Sequence, residues 1–368
     1  MSVSAISGTE LDRRNVRDVN NLFAEAPGLF RAPGSVSYAS DLNYLTMRGI
    51  GFNAGLEPAV GVFIDGMYQP QIGFDTAMLD LQRVEVLRGP QGTLFGRNTQ
   101  GGAVNMITRK PGEELHGRFQ ADAASFNTFR ALAAIDGPIA GKLYGGLSAV
   151  YDRSDGFIYN PILNQHQDNY EQSAVRGTLR WVPHDGLDFT LMADASQKDY
   201  NEVVRGVRLA GNHSETPIDQ DEPDSKSNHG VQLNVNDVIN EHLTFSLITG
   251  YRYSDSNNFL DMDNRQTTGG TEVLPTYPYF ALTPVTTHGA TLAAQVDQAF
   301  TSQEFRLEGE HEKVNWLAGL YYFEQIQHQT RQRQAGPGAA PTIPAAFYIR
   351  EAYKDVRRGD AAFGQLSY

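Results

Sequence analysis

Leu81-Gln-Arg-Val-Glu-Val-Leu-Arg-Gly-Pro-Gln-Gly-Thr-Leu-Phe-Gly-Arg-Asn-Thr-Gln-Gly-Gly-Ala-Val-Asn-Met-Ile-Thr-Arg109 consists of two short apolar runs joined by a glycine-rich loop. The runs predict strands at Val84–Leu87 and Ala103–Thr108. Between them Gly89, Pro90, Gly92, Gly96, Gly101 and Gly102 supply sharp turns and let backbones approach closely. The loop lacks the Gly-Lys-Ser/Thr ending of a phosphate cradle, so its glycines are read as turns.

Upstream, strands are predicted at Val3–Ile6, Tyr44–Met47 and Val60–Ile64. Asp65-Gly66 forms a hairpin-type turn after the last of these. Ser7-Gly8-Thr9 offers a cap for a helix beginning near Glu10. A second helix is expected over Val16–Ala26, where Val16, Val19, Leu22 and Phe23 share a face and Pro27-Gly28 ends it. Residues 1–112 thus read as a compact α+β unit.

From His116 onward the period becomes two. Leu243, Phe245, Leu247, Thr249, Tyr251 and Tyr253 alternate with polar residues, as do Val175, Leu179 and Trp181, and Leu187, Phe189, Leu191 and Ala193. Such strands bury one face against something apolar. Short turns at 136–141, 183–186, 237–241 and 309–313 alternate with long polar segments at 153–169, 199–229, 255–300 and 327–360. A membrane-spanning antiparallel barrel has two such unlike ends; a soluble sandwich has no reason to lengthen every second connection. About ten strands are expected between His116 and Tyr368.

Composition agrees. The chain has 368 residues, a net charge of -13, 36 glycines, 17 tyrosines, 19 phenylalanines and no cysteine. The acidic balance disfavours a nucleic-acid partner, and the missing cysteines exclude disulfides and thiolate metal sites. No apolar run is long enough for a membrane helix, so any spanning is by strands. No hydrolase nucleophile motif and no helical histidine spacing is present, so neither an enzyme nor a metal centre is expected. Asp219, Asp221, Glu222 and Asp224 are read as a solvated loop, and Phe30-Arg31-Ala32-Pro33 as a chance match to a haem-uptake box.

The 81–109 segment closely resembles the plug signature of TonB-dependent outer-membrane receptors. Leu22–Leu29, Met47–Gly51 and Val62–Gly66 continue the likeness in the family's order. The barrel half resembles the family mainly in pattern, with Ser302-Gln-Glu-Phe-Arg-Leu307 similar to a family strand. The resemblance implies a plug over 1–112, the leading part of a transmembrane β-barrel over 113–368, and residence in the cell outer membrane of a Gram-negative bacterium. It implies active import of a scarce nutrient, most commonly a ferric-siderophore complex, with cobalamin, oligosaccharide or aromatic cargo as alternatives. No cofactor is implied. The implied partners are TonB, outer-membrane lipid and an iron chelate or other small ligand.

The resemblance also implies that plug arginines face wall glutamates, making Arg48, Arg88 and Arg97 candidates to meet Glu304. Tyr277, Tyr279, Arg331 and Arg333, in the long polar segments, are candidate ligand contacts for an anionic aromatic chelate. Gly49 joins the motif turns. The family's barrels close with about 22 strands around the plug. The TonB box and secretion signal that precede a family plug are not seen here, so the sequence is expected to be an incomplete frame, with a nonfunctional fragment as one reading.

Overall fold

A computed structural model describes residues 2–17, 22, 25–31, 45–51, 58–70, 72, 79–92, 94–201, 208–210, 213–215, 223–261, 291–311, 313–334 and 348–368. In the N-terminal part the elements are β1 (Ser2–Ser7), α1 (Gly8–Arg13), β2 (Leu29–Arg31), β3 (Leu45–Met47), β4 (Val60–Ile64), β5 (Met67–Gln69), β6 (Leu81–Arg88) and β7 (Gly102–Thr108). Five of these strands form one sheet in the order β1-β6-β7-β4-β5, and β2 pairs with β3. The pairings are antiparallel except for the parallel match of β4 to β7.

Local chemistry explains the boundaries. The Ser7 hydroxyl accepts from the Glu10 amide and starts α1. Asp65 and Gly66 both take positive φ, 46° and 84°, the hairpin turn predicted from the sequence. Of the predicted second helix only Val16, Arg17, Leu22, Glu25 and Ala26 are described. There the amides of Glu25 and Ala26 reach the Leu22 carbonyl, a single turn. Leu22, Leu29, Leu45, Met47, Val60, Val62, Val84, Val86 and Val104 are buried and form the core of the unit.

The second part comprises β8 (His116–Ala124), β9 (Thr128–Ala140), β10 (Leu143–Ser154), β11 (Ile158–Asn160), β12 (Gln165–Gln167), β13 (Tyr170–His184), β14 (Leu187–Tyr200), β15 (Arg208–Ala210), β16 (His213–Glu215), β17 (Asp224–Asn240), β18 (Leu243–Asp261), β19 (Thr291–His311), β20 (Val314–Gln334) and β21 (Tyr348–Ser367). Ten of them make one antiparallel sheet, in the order β21-β20-β19-β18-β17-β14-β13-β10-β9-β8. The strand count therefore matches the sequence expectation. The short strands β12-β11-β16-β15 form a separate sheet that ties two long connections together.

Strand lengths differ from the sequence reading. The segments 199–229, 255–300 and 327–360 were expected to be loops, yet β17 starts at Asp224, β18 runs to Asp261, β19 starts at Thr291, β20 runs to Gln334 and β21 starts at Tyr348. At the ends of β17 and β20 polar residues occupy both faces, so the apolar alternation fades while the inter-strand hydrogen bonds continue, whereas β19 keeps it through the buried Leu292, Ala294 and Val296.

Register separates the faces of the sheet. Val175, Leu179, Trp181, Leu191, Val231, Tyr251, Phe305, Leu307, Leu320 and Tyr322 are exposed on one side. Trp181 and Phe189, cross-strand partners, stack at 5.4 Å on this face. The opposite face carries Ser148, Asp152, Arg176, Met192, Gln232, Arg252, Gln298 and Phe300, all buried. That inner face is wrapped against the N-terminal unit.

Candidate functional site

The hairpin β4–β5 contacts the wall at β17 and β18. The Asp65 carboxylate accepts from the Thr108 amide at 2.9 Å and the Thr108 hydroxyl at 2.6 Å, fixing the turn from below. Its carbonyl accepts from Asn234 Nδ2 at 3.0 Å and Gln232 Nε2 at 3.2 Å, both on β17. Next to it Met67 packs over Gly250 of β18, where an added Cβ would lie 2.5 Å from the Met67 sulfur.

An aromatic junction follows. Phe63, Tyr68 and Phe95 of the N-terminal unit meet Phe300 and Phe323 of the wall in one apolar cluster. Tyr68 and Phe300 contact edge to face at 5.6 Å, and Phe300 stacks with Phe323 at 6.3 Å. The Arg97 guanidinium lies over the Phe323 ring at 4.1 Å and faces Tyr68 at 5.6 Å. Burial pushes the Tyr68 hydroxyl above its ordinary pKa, with the Arg97 charge and the Asn98 hydrogen bond opposing the shift.

Wall arginines grip backbone carbonyls of the N-terminal unit: Arg176 reaches Leu79 O at 2.8 Å, Arg180 reaches Pro111 O at 3.0 Å and Arg306 reaches Leu94 O at 3.0 Å. At the opposite edge the contacts are ion pairs, Arg118 to Asp12 at 2.6 Å and Arg17 to Asp152 at 3.4 Å. Within the wall, Arg252 makes a two-pronged pair with Asp194 at 2.8 and 2.9 Å. Asp194, Gly230 and Arg252 are register partners on β14, β17 and β18, so the guanidinium crosses the glycine to reach the carboxylate.

The residues singled out from the sequence are distributed differently from the expected pairing. Glu304 faces inward but pairs with Arg306 on its own strand, because side chains two apart on a strand share a face. Arg88 donates to the Pro27 carbonyl at 3.0 Å and the Ser4 hydroxyl at 2.7 Å, so its hydrogen bonds stay inside the N-terminal unit. Arg48 is exposed at a tight turn with Gly49, its amide bonded to the Gly28 carbonyl. Arg97 does reach the wall, through aromatic rings. Gly49, Gly89, Gly96 and Gly102 have positive φ, and Gly102 could carry no side chain: a Cβ there would lie 2.3 Å from Leu87 O. Pro90, Gly92 and Gly101 complete the loop.

Arg331 lies on β20 and donates to the Tyr353 hydroxyl at 3.0 Å, on the inner face of the wall. Arg333 pairs through its backbone with Ile349 of β21. Tyr277 and Tyr279, with Asp219, Asp221 and Glu222, lie outside the described residues. Asp224 accepts from the Phe259 amide at 2.8 Å. Phe300, Phe323, Arg306 and Asn234 were not found from the sequence; inward alternation on their strands was the available signal, and it does not say which inward residue meets the N-terminal unit.

Residues 1–103 match the family model of the TonB-dependent Receptor Plug Domain. The N-terminal unit is a TonB-dependent receptor plug domain. It is 32% identical over 191 residues to the pesticin receptor of Yersinia pestis, covering 50% of this chain and 28% of that protein. With the ferrioxamine receptor of Yersinia enterocolitica it shares 27% identity over 235 residues, 62% of this chain and 31% of the relative. The ferric yersiniabactin uptake receptor FyuA from Yersinia pestis superposes with a TM-score of 0.74 at 18% identity, covering 99% of this chain and 61% of that one. The siderophore receptor PiuA from Acinetobacter baumannii gives 0.71 at 13%, with 99% and 54% covered.

The chain therefore spans less than a third of the length of these curated relatives. The matched proteins are outer-membrane receptors, and the chain shares their plug domain and wall fold. The N-terminal unit is its plug, and the ten-stranded sheet is barrel wall.

Proposed function

We propose that this chain is the plug and leading barrel wall of a receptor that imports a ferric siderophore, with the domain boundary at 112/113. The carrying observation is the plug seated on the inner wall face by Asp65–Asn234 and the Arg97–Phe323 junction, in a chain whose relatives include ferrioxamine and ferric yersiniabactin receptors. A plug held in the lumen by wall contacts blocks passive flow. Import then requires the plug to be rearranged, which is the work assigned to TonB.

The exposed row from Val175 to Tyr322 is the surface proposed to face outer-membrane lipid, since strands with one apolar side suit a bilayer. Arg331 and Arg333, near the long connections, remain the proposed contacts for an anionic chelate, with Tyr277 and Tyr279.

The reading is tested in a receptor-deficient, iron-starved strain expressing the gene that encodes this chain. Uptake of radiolabelled iron supplied as ferrioxamine or ferric yersiniabactin, abolished when TonB is deleted, is the expected result. Uptake of cobalamin or an oligosaccharide instead would redirect the cargo, and no uptake of any of these would reject import by this product.

A further inference from the structure

Lys198 of β14 and Lys226 of β17 are register partners. Both point inward, because each lies an even number of residues from an inward neighbour on its own strand, Met192 and Gln232. Lys226 is almost fully enclosed and Lys198 half-buried. The Lys198 ammonium lies 5.0 Å from the centre of the Tyr200 ring and 5.9 Å from that of Tyr170. These tyrosines are themselves register partners, and each is tied in place. The Tyr170 hydroxyl donates to Asp152 at 3.1 Å, and the Tyr200 hydroxyl accepts from Asn258 at 3.5 Å.

The pair stands just beyond the plug. Asn228, Ser254 and Gln298 form one inward row, and Gln298 accepts from the Ile72 amide of the plug at 3.4 Å. Lys226 is the next inward residue of β17 after that row, toward the long connection that joins β14 to β17. Like charges directly opposite each other on a sheet repel, and enclosure from water strengthens the repulsion. Over residues 170–174, 196–200 and 224–228 the inward face of β13, β14 and β17 carries one carboxylate, Asp224, against the two ammonium groups. That carboxylate also accepts from the Phe259 amide at 2.8 Å. An anion set between the two lysines relieves the repulsion, and the rings beside it offer aromatic surface to a planar ligand.

We propose that Lys198 and Lys226, flanked by Tyr170 and Tyr200, form an anion subsite that selects iron chelates of net negative charge over neutral ones. The proposal rests on the import reading above and narrows its cargo. A ferric tris-catecholate is an anion, because both oxygens of every catecholate are deprotonated. A ferric tris-hydroxamate is neutral, each hydroxamate bringing a single negative charge to the trivalent iron. The ammonium groups meet the surplus charge of the first complex, and the tyrosine rings meet its aromatic groups; the second offers neither.

Equilibrium dialysis of the full chain in detergent against these two chelates, each labelled with radioactive iron, tests the subsite. The catecholate is expected to bind about tenfold more tightly or better, the equivalent of one charged hydrogen bond, and added salt should weaken it alone. Lys198→Met and Lys226→Met should each cost the catecholate about tenfold and leave the hydroxamate unchanged, while Lys198→Arg keeps most of the preference. Lys198 is half-buried, so its variants test the site even where Lys226→Met fails to fold. Equal affinity for the two chelates in the parent chain, or an equal loss of both in Lys198→Met, overturns the subsite and leaves siderophore import standing. Binding of neither chelate overturns both.

Discussion

Gly230 lies between Asp194 and Arg252 in one cross-strand row, and its missing side chain is what lets the guanidinium pass. An alanine Cβ there would meet Tyr251 O at 2.9 Å and the Arg252 guanidinium carbon at 3.1 Å. Gly230→Ala is expected to cost about 1–3 kcal/mol by overpacking, read as a lower urea midpoint in detergent. Asp194→Asn strands a buried guanidinium and should cost more, about 3–5 kcal/mol. Tyr68 makes a pH prediction. Its folded pKa is raised above the ordinary 10.0, so its contribution to stability is complete below pH 10.0 and lost as pH rises through the folded value. Plug stability measured above pH 10.0 should therefore fall less steeply in Tyr68→Phe than in the parent protein.

At the scale of elements, the hairpin β4–β5 joins the two halves through backbone. Asp65→Ala removes the carboxylate from the Thr108 amide and hydroxyl and places a residue without a compensating hydrogen bond at φ 46°. A loss of about 1–3 kcal/mol is expected, with faster hydrogen exchange at Met106–Thr108. Asp65→Asn, which tolerates that backbone and keeps an acceptor, should lose less. The loop between β6 and β7 behaves differently, since besides Phe95 in the aromatic cluster its wall contacts include Arg97 over Phe323 and Arg306 to the Leu94 carbonyl. One is cation–π and the other uses main chain, so neither needs a glutamate on the wall.

At the scale of the molecule, two surfaces of one sheet meet opposite surroundings. Leu191 lies among exposed apolar neighbours on the outer face, while Met192, one residue on, packs into the plug core. Leu191→Arg is expected to destabilise the inserted protein by about 2–4 kcal/mol if the position is near mid-bilayer, and much less in urea-solubilised form, measured by unfolding from lipid vesicles.

The sequence by itself determined the division into an α+β unit and a strand wall, the turn at Asp65-Gly66, the cap at Ser7 and the outward row of Val175, Leu179, Leu191 and Phe305. Each of these rests on local preference or on period-two alternation, which neighbours along the chain fully specify. Only the tertiary structure decided that Glu304 pairs with Arg306, that Arg88 turns back to Pro27 and Ser4, and that Arg97 docks on Phe323. The Arg97 outcome depends on which strand lies across the lumen, a separation of 226 residues from Arg97 to Phe323 by their numbers, and the Arg88 outcome on the pairing of β1 with β6. Alternation says that a side chain points inward; it cannot say what waits there. The polar ends of β17 and β20 were missed for a related reason: with polar residues on both faces the alternation vanishes, and inter-strand hydrogen bonding keeps the chain extended, while the alternating Leu292, Ala294 and Val296 of β19 were a signal left unread.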